Sequence, residues 1–282
     1  MLPHLFRFPE WLPLVGGEYV TSFGVMMFLS FVTAGLILRA EMERNGFDGE
    51  KAWDLIFMAV IGGIVGGKLY YVFLNFDRLQ AEGLSFLLSR GGMVWYGGFA
   101  VAAFLVLWQA KRMGLPLLKI CDSSAPALAL AYAVGRVGCF LVGDDWGRPT
   151  DSWVGVRFSP PAYPPSTVEN IESFGISVDP ALIERYGSVI PVHPTQLYEV
   201  AMSTVIFLFL WKIRGRSASP GWLFSVWLAL AGAERFVVEF FRAKDDRFFG
   251  ALTLAQVISI GLIAFALVWM ARLRKTPDTP AG

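Results

Sequence analysis

The sequence predicts an all-α membrane protein with seven transmembrane helices and an extracytoplasmic loop or cap between spans 4 and 5. Three observations carry that expectation. The chain is 55% hydrophobic and only 17% charged, with a mean hydropathy of +0.53, outside the range of soluble domains. Its apolar residues gather into blocks near the length that crosses a bilayer as a helix, about 20 residues. Between two of those blocks lies a stretch, 149–192, rich in proline, serine and glycine. We expect a single polytopic membrane domain over residues 1–282, with 149–192 as the cap within it.

The spans are expected near Tyr19–Leu38, Trp53–Leu74, Met93–Ala110, Ile120–Val142, Pro194–Ile213, Trp222–Phe241 and Ala251–Ala271. Basic residues in short connections favour the cytoplasm. One set of flanks holds Arg39, Arg44, Lys51, Lys111, Arg112, Lys119, Lys212, Arg214, Arg216, Arg272, Arg274 and Lys275. The other holds Arg7, Arg78, Arg90, Arg148, Arg157, Arg185, Arg242, Lys244 and Arg247, several of them in the long loop, which counts for little. The N-terminus is therefore expected outside and the C-terminus in the cytoplasm. Arg242, Lys244 and Arg247 then lie where topology does not ask for them, which points to chemistry. A net charge of +1 without a long basic run leaves no reason to expect nucleic acid as a partner.

Met1–Pro13 lacks the basic-then-apolar layout of a cleavable signal. Its Leu2, Leu5, Phe6, Phe8, Trp11 and Leu12 suit a segment lying in the membrane interface. In the second span, Gly62-Gly63 and Gly66-Gly67 have the small-residue spacing of a close helix contact, and Lys68, Tyr70 and Tyr71 follow as interfacial anchors. The third span opens with Gly91-Gly92-Met93-Val94-Trp95-Tyr96-Gly97-Gly98. A polar aromatic between glycine pairs suits a tight backbone beside a substrate, and equally an aromatic-belt residue. Cys121 and Cys139 fall on one expected helix, about 27 Å apart at about 1.5 Å per residue, too far for a disulfide. Neither has a metal-ligand spacing, and no metal or cofactor is expected.

The fourth span closes on Gly135-Arg136-Val137-Gly138-Cys139-Phe140, followed by Asp144, Asp145, Gly147 and Arg148. A guanidinium at that depth costs roughly 3 kcal/mol unless it faces protein, a cavity or an anion. A snorkelling arginine paired with Asp144 or Asp145 is the plainer alternative. The loop 149–192 is expected to hold little regular structure beyond a short helix near Pro180–Arg185, and its length implies that it covers a site or guides a partner. Pro194 fits the first turn of the fifth span, with His193 just outside and Tyr198 and Glu199 one turn on. In the sixth span Arg235, Glu239 and Arg242 stand at i, i+4 and i+7, on one helical face. Arginine forks hold phosphate in bidentate fashion. Arg136 and this trio therefore read as a membrane-embedded site for an anionic lipid head group, with a structural ion-pair network as the competing reading.

These same residues carry a resemblance. Gly135-Arg136-Val137-Gly138-Cys139-Phe140…Asp144-Asp145-Trp146-Gly147-Arg148 is similar to the hallmark of the prolipoprotein diacylglyceryl transferase family, Gly-Arg-x-Gly-Asn-Phe…Glu-x-x-Gly-Arg. His193 through Glu199 resembles that family's His-Pro-Ser-Gln-Leu-Tyr-Glu segment, and Arg235, Glu239 and Arg242 match its Arg-x-x-x-Glu-Phe-x-Arg. The segments occur in order and span most of the chain. The resemblance implies a seven-helix enzyme of the bacterial inner membrane acting in lipoprotein maturation. Its expected partners are phosphatidylglycerol and the lipobox segment of a preprolipoprotein, with the diacylglyceryl group passing to the lipobox cysteine and glycerol 1-phosphate leaving. It further implies that Arg136 and Arg235 stabilise the phosphate, that Arg242 supports them and that Glu239 orients Arg235 or Arg242. By the same carry-over, Arg148, Gly97, Gly98, Asp144, Gly147, His193, Tyr198 and Glu199 bind substrate.

The chain departs from the pattern at the chemistry. Tyr96 stands where the family has a histidine proposed as the base, and a phenol is a poorer base near neutral pH. Cys139 replaces the hallmark asparagine and Asp144 its glutamate, while Ala231 and Phe23 stand where tyrosines are expected. A non-catalytic lipid-binding paralogue on the same fold is therefore the alternative expectation.

Overall fold

The computed structural model describes residues 1–11, 17–83, 86, 92–216, 219–243, 247–249 and 252–273. The expectations that fall on Leu12, Pro13, Arg90, Gly91, Lys244, Ala251, Arg274 and Lys275 lie outside those residues. In chain order the elements are β1 (His4–Arg7), β2 (Tyr19–Thr21), α1 (Ser22–Arg44), α2 (Lys51–Leu74), α3 (Phe76–Glu82), α4 (Trp95–Arg112) and α5 (Leu117–Val142). Then follow β3 (Val156–Arg157), α6 (Val168–Ser173), α7 (Pro180–Tyr186), β4 (Pro191–Val192), α8 (Thr195–Ile213), α9 (Trp222–Glu239), β5 (Arg247–Phe249), β6 (Leu252–Thr253) and α10 (Leu254–Leu273).

The apolar blocks fold as helices because hydrocarbon offers no partner to a free backbone N–H or C=O. Five of them, α1, α2, α5, α8 and α10, are long and apolar enough to cross a membrane. α4 and α9 occupy the two remaining expected stretches at 18 residues each. Being short, both include their charged residues in any span of 18: α4 ends on Lys111 and Arg112, and α9 carries Glu234, Arg235 and Glu239.

The chain forms two compact units, one of residues 1–33 and 125–282, the other of residues 34–124. In the 34–124 unit α2 and α4 meet along their glycines. A Cβ on Gly66 would strike the carbonyl oxygen of Gly97 and the side chain of Val101, and one on Gly62 would strike the backbone of Ala102. This is the close contact that the glycine spacing predicts. Val94 N–H also bonds the Gly67 carbonyl at 3.1 Å, pinning the start of α4 to α2.

In the other unit β1 and β2 pair antiparallel ahead of α1. The stretch expected to lie in the membrane interface is thus partly a hairpin. Ala125 and Ala129 of α5, Ile206, Leu210 and Ile213 of α8, and Leu223 of α9 form one core cluster. Residues 149–192 hold more regular structure than expected. Phe158, Ile171, Ile190 and Val192 are fully buried there, with Trp146 and Ala243 against them. Ser166 donates to the Ile190 carbonyl at 2.7 Å and accepts from Phe158 N–H at 3.1 Å, so the buried polar group is satisfied. The short helix expected near Pro180–Arg185 is α7, capped by Asp179, whose carboxylate accepts from Ala181 N–H at 2.9 Å. α6 was not expected: its six residues are too few for a periodic pattern, and burial of Ile171 with capping by Thr167 hold it.

Candidate functional site

Three segments converge at the site: the end of α5 with the turn after it, the start of α8, and the end of α9. Their backbones interlock. Gly147 N–H bonds the His193 carbonyl at 2.8 Å, Arg148 N–H bonds the Phe241 carbonyl at 2.7 Å, and His193 N–H bonds the Arg148 carbonyl at 3.0 Å. Gly147 is required here, because a Cβ would run into the Phe241 carbonyl and the side chains of Thr195 and His193. Thr195 and Gln196, both fully buried in the first turn of α8, donate to the Asp145 and Asp144 carbonyls respectively. The Asp144-Asp145 turn is held from its backbone. Asp145 takes a left-handed φ of 60°, the only positive φ on a non-glycine among the described residues, and this turns its carboxylate toward the arginines.

A chain of alternating charges follows. Tyr132 donates to Glu199 at 2.6 Å, and Glu199, 2% exposed, pairs with Arg136, 9% exposed. Arg136 Nη1 donates to Asp145 Oδ2 at 2.9 Å, and Arg242 meets both oxygens of the same carboxylate, Nη1 to Oδ2 at 2.8 Å. Glu239 lies 3.7 Å from Arg242 Nε and 2.6 Å from Arg235 Nη2. Burial pushes the Asp145 carboxyl up, but Arg242 and Arg136 outweigh it and hold it below the usual carboxylate value. Its contribution to stability is therefore complete above that usual value and is lost only as the pH falls beneath it.

The structure places Arg136, Arg235, Glu239 and Arg242, grouped from the sequence, in one network with Glu199, and it makes one correction. α9 ends at Glu239. Arg242 therefore does not share a helical face with Arg235; it reaches the cluster through the turn at Phe240 and Phe241 and a backbone bridge to Gly147. The carboxylate that binds both Arg136 and Arg242 is that of Asp145, while Asp144 makes no ion pair among the described residues. Burial pushes the Asp144 carboxyl up, and Cys139 is its side-chain partner.

His193 Nδ1 and the Tyr198 hydroxyl lie 2.9 Å apart, and both rings pack on Phe241. Burial pushes the His193 imidazole below its usual value, which keeps it neutral. Tyr96, Gly97 and Gly98 lie in the 34–124 unit. There Tyr96 is exposed with its ring edge against Trp95, and Gly97 and Gly98 face Gly66 and Gly63 of α2. Among the residues sequence reasoning did not select, Tyr132 precedes Arg136 by one helical turn, a spacing that could have flagged it. The sequence offers Asp144 and Asp145 alike as partners of Arg136, and only the backbone turn distinguishes them.

Two donors in this network have no acceptor. Arg136 Nε and Arg235 Nη1 are buried without a hydrogen-bond partner among the described residues. Leaving such groups unmade is costly, of order 1–3 kcal/mol or more for a charged group. An anion with several oxygens would satisfy them, and arginine forks suit phosphate.

The family model of prolipoprotein diacylglyceryl transferase matches residues 10–272 of this chain. Among curated proteins, the phosphatidylglycerol–prolipoprotein diacylglyceryl transferase of Proteus mirabilis (strain HI4320) is 30% identical over 293 residues, covering 97% of each chain. The protein of the same name from Pseudomonas putida (strain GB-1) is 33% identical over 283 residues, covering 95% of each. That of Vibrio vulnificus (strain CMCP6) is 31% identical over 266 residues, covering 91% of this chain and 88% of the relative.

Proposed function

The chain belongs to the prolipoprotein diacylglyceryl transferase family, and on that premise we propose that it moves the diacylglyceryl group of phosphatidylglycerol onto the lipobox cysteine of a preprolipoprotein. The acceptor sulfur forms a bond to the glyceryl carbon, the bond from that carbon to the phosphate oxygen breaks, and glycerol 1-phosphate leaves with the electron pair. Charge grows on the departing phosphate, and fixed cations aimed at it are the largest help a site of this kind offers. Arg136 and Arg235 fill that role, with Arg242 in support. Glu239, Asp145 and Glu199 hold the three guanidiniums in place. The observation that carries this reading is the pair of buried, unsatisfied guanidinium donors on Arg136 and Arg235.

Asp144, Gly147, Arg148, His193 and Tyr198 border the network in sequence or in space and are assigned to substrate binding. The same assignment for Gly97 and Gly98, and a catalytic role for Tyr96, rest on the resemblance alone. We place the chain in the bacterial inner membrane as one polytopic domain of seven spans over residues 1–282, α4 and α9 included. Residues 149–192 form its extracytoplasmic cap, the N-terminus lies outside and the C-terminus in the cytoplasm. The basic residues flanking the helices support that orientation.

Expression of the chain in bacteria depleted of their own diacylglyceryl transferase should restore growth and lipoprotein lipidation. Absence of growth with the protein present in the membrane would overturn the reading.

A further inference from the structure

We infer that Glu234, buried in α9, is the general base that takes the proton from the acceptor thiol. The inference rests on the transferase reading above and adds to it the residue that makes the nucleophile. A thiol has an ordinary pKa of about 8.5, so near neutral pH only a few per cent is thiolate, and the thiolate is the form that attacks.

The other carboxylates of the arginine network are engaged by cations. Glu199 is bound to Arg136 and Tyr132, Glu239 to Arg235 and Arg242, and Asp145 to Arg136 and Arg242. Lone pairs committed to guanidinium groups accept a proton poorly. Glu234 differs. It is 8% exposed, has no cationic partner within 4.0 Å among the described residues, and takes only the hydroxyl of Ser203, at 2.8 and 2.7 Å to its two oxygens. It remains within electrostatic reach of Arg136 and Glu199, beside the phosphate site and not in it.

Glu234 also borders open space. It is the one charged residue lining an open groove of about 370 Å³ between α8 and α9, otherwise walled by apolar side chains such as Met202, Val205, Leu230 and Val237. Met202 and Val237 also line a second cavity, of about 400 Å³, that extends to His193 and Phe241. An open apolar groove bordered by a lone carboxylate suits an apolar peptide segment that presents one thiol. Asp144 lines neither cavity. Tyr96, the residue at the family's proposed base position, is exposed with its ring edge against Trp95.

The step balances without a co-reactant. The S–H proton passes to the Glu234 carboxylate, the thiolate attacks the glyceryl carbon, and the phosphate oxygen departs as its C–O bond breaks. Glu234 then returns the proton to the leaving phosphate or to water.

The test is steady-state transfer by the purified full chain, with phosphatidylglycerol and a lipobox peptide, across pH. The ionisable groups within electrostatic reach of Glu234 are Tyr132 and Arg136 of α5 and Glu199 of α8, with the Ser203 hydroxyl of α8 bound to it directly. α10 brings no ionisable side chain short of Arg272. Glu234→Gln keeps an oxygen for Ser203 but cannot take a proton. Its kcat should fall by about 100-fold or more with the KM for phosphatidylglycerol unchanged, general-base catalysis being worth roughly 10²–10⁴. The rise of rate with pH should move up toward the thiol's own ionisation, near about 8.5. Glu234→Asp should recover part of the rate. Glu234→Gln within about threefold of the parent with the same pH profile would overturn the assignment. So would Asp and Gln variants equally impaired, which is what a purely structural tie between α8 and α9 produces. If the unaltered chain itself shows no transfer, the transferase reading fails instead.

Discussion

Replacing Arg136 with alanine should abolish diacylglyceryl transfer, with a loss of about 1,000-fold or more in kcat/KM. Two effects add. Removing one preorganised donor from a developing anion typically costs about 10²–10³ in rate, or roughly 2.7–4 kcal/mol. Arg136 is also the partner of Glu199, which is 2% exposed. Breaking a buried pair from one side costs roughly 3–5 kcal/mol of stability. Arg136→Lys separates the two. Lysine keeps a positive charge beside Glu199, so thermal stability in detergent should largely return. It lacks the fork that joins Glu199, Asp145 and a phosphate at once, so activity should stay low. Transfer by Arg136→Ala within about tenfold of the parent would remove Arg136 from the chemistry.

The second large effect is expected at Asp145. Its carboxylate is the shared anion between Arg136 and Arg242, and Asp145→Asn would leave Arg136 with Glu199 alone and Arg242 with Glu239 alone. Loss of about 100-fold in activity and roughly 1.5–3 kcal/mol of stability is expected, from the loss of charge-assisted hydrogen bonds to both arginines. Asp144→Asn should lose less than about tenfold, because Asp144 holds no cation among the described residues and its backbone carbonyl, not its side chain, is what Gln196 grips. The two variants measured side by side, by transfer rate and melting temperature, decide between the motif and the geometry. The reverse order would return Asp144 to the role that the family pattern implies.

That pair shows where the sequence stops being legible. Asp144 aligns with the family's glutamate, yet a single left-handed residue after α5 presents the next carboxylate to the arginines. Backbone handedness at one non-glycine position leaves no trace in composition or period. Arg235 and Glu239 were readable because i, i+4 spacing places side chains together on any helix, and the structure has them 2.6 Å apart. Arg242 was grouped with them for a reason that does not hold, since the helix has ended before it. It joins the cluster through the Gly147 bridge, a contact between segments far apart in the chain.

The long helices were legible because apolar blocks in a membrane protein have one backbone solution. The glycine contact of α2 with α4 was legible because only small side chains permit it. The packing within 149–192 was not. Its core of Phe158, Ile171 and Ile190 is assembled from isolated residues separated by prolines and turns, so no window shows a period. Glu234 stood in plain view beside Arg235, but only the cavity between α8 and α9 sets it apart from an ordinary helical glutamate.

The most direct measurement is chemical. Purified protein is incubated with phosphatidylglycerol and a lipobox peptide, and the peptide mass and the released phosphate ester are followed together. The expected result is a thioether-linked diacylglyceryl peptide and an equal amount of glycerol 1-phosphate, both absent when the peptide cysteine is replaced by serine. Protein that binds phosphatidylglycerol yet yields neither product would contradict the assignment of a diacylglyceryl transferase site to the arginine network.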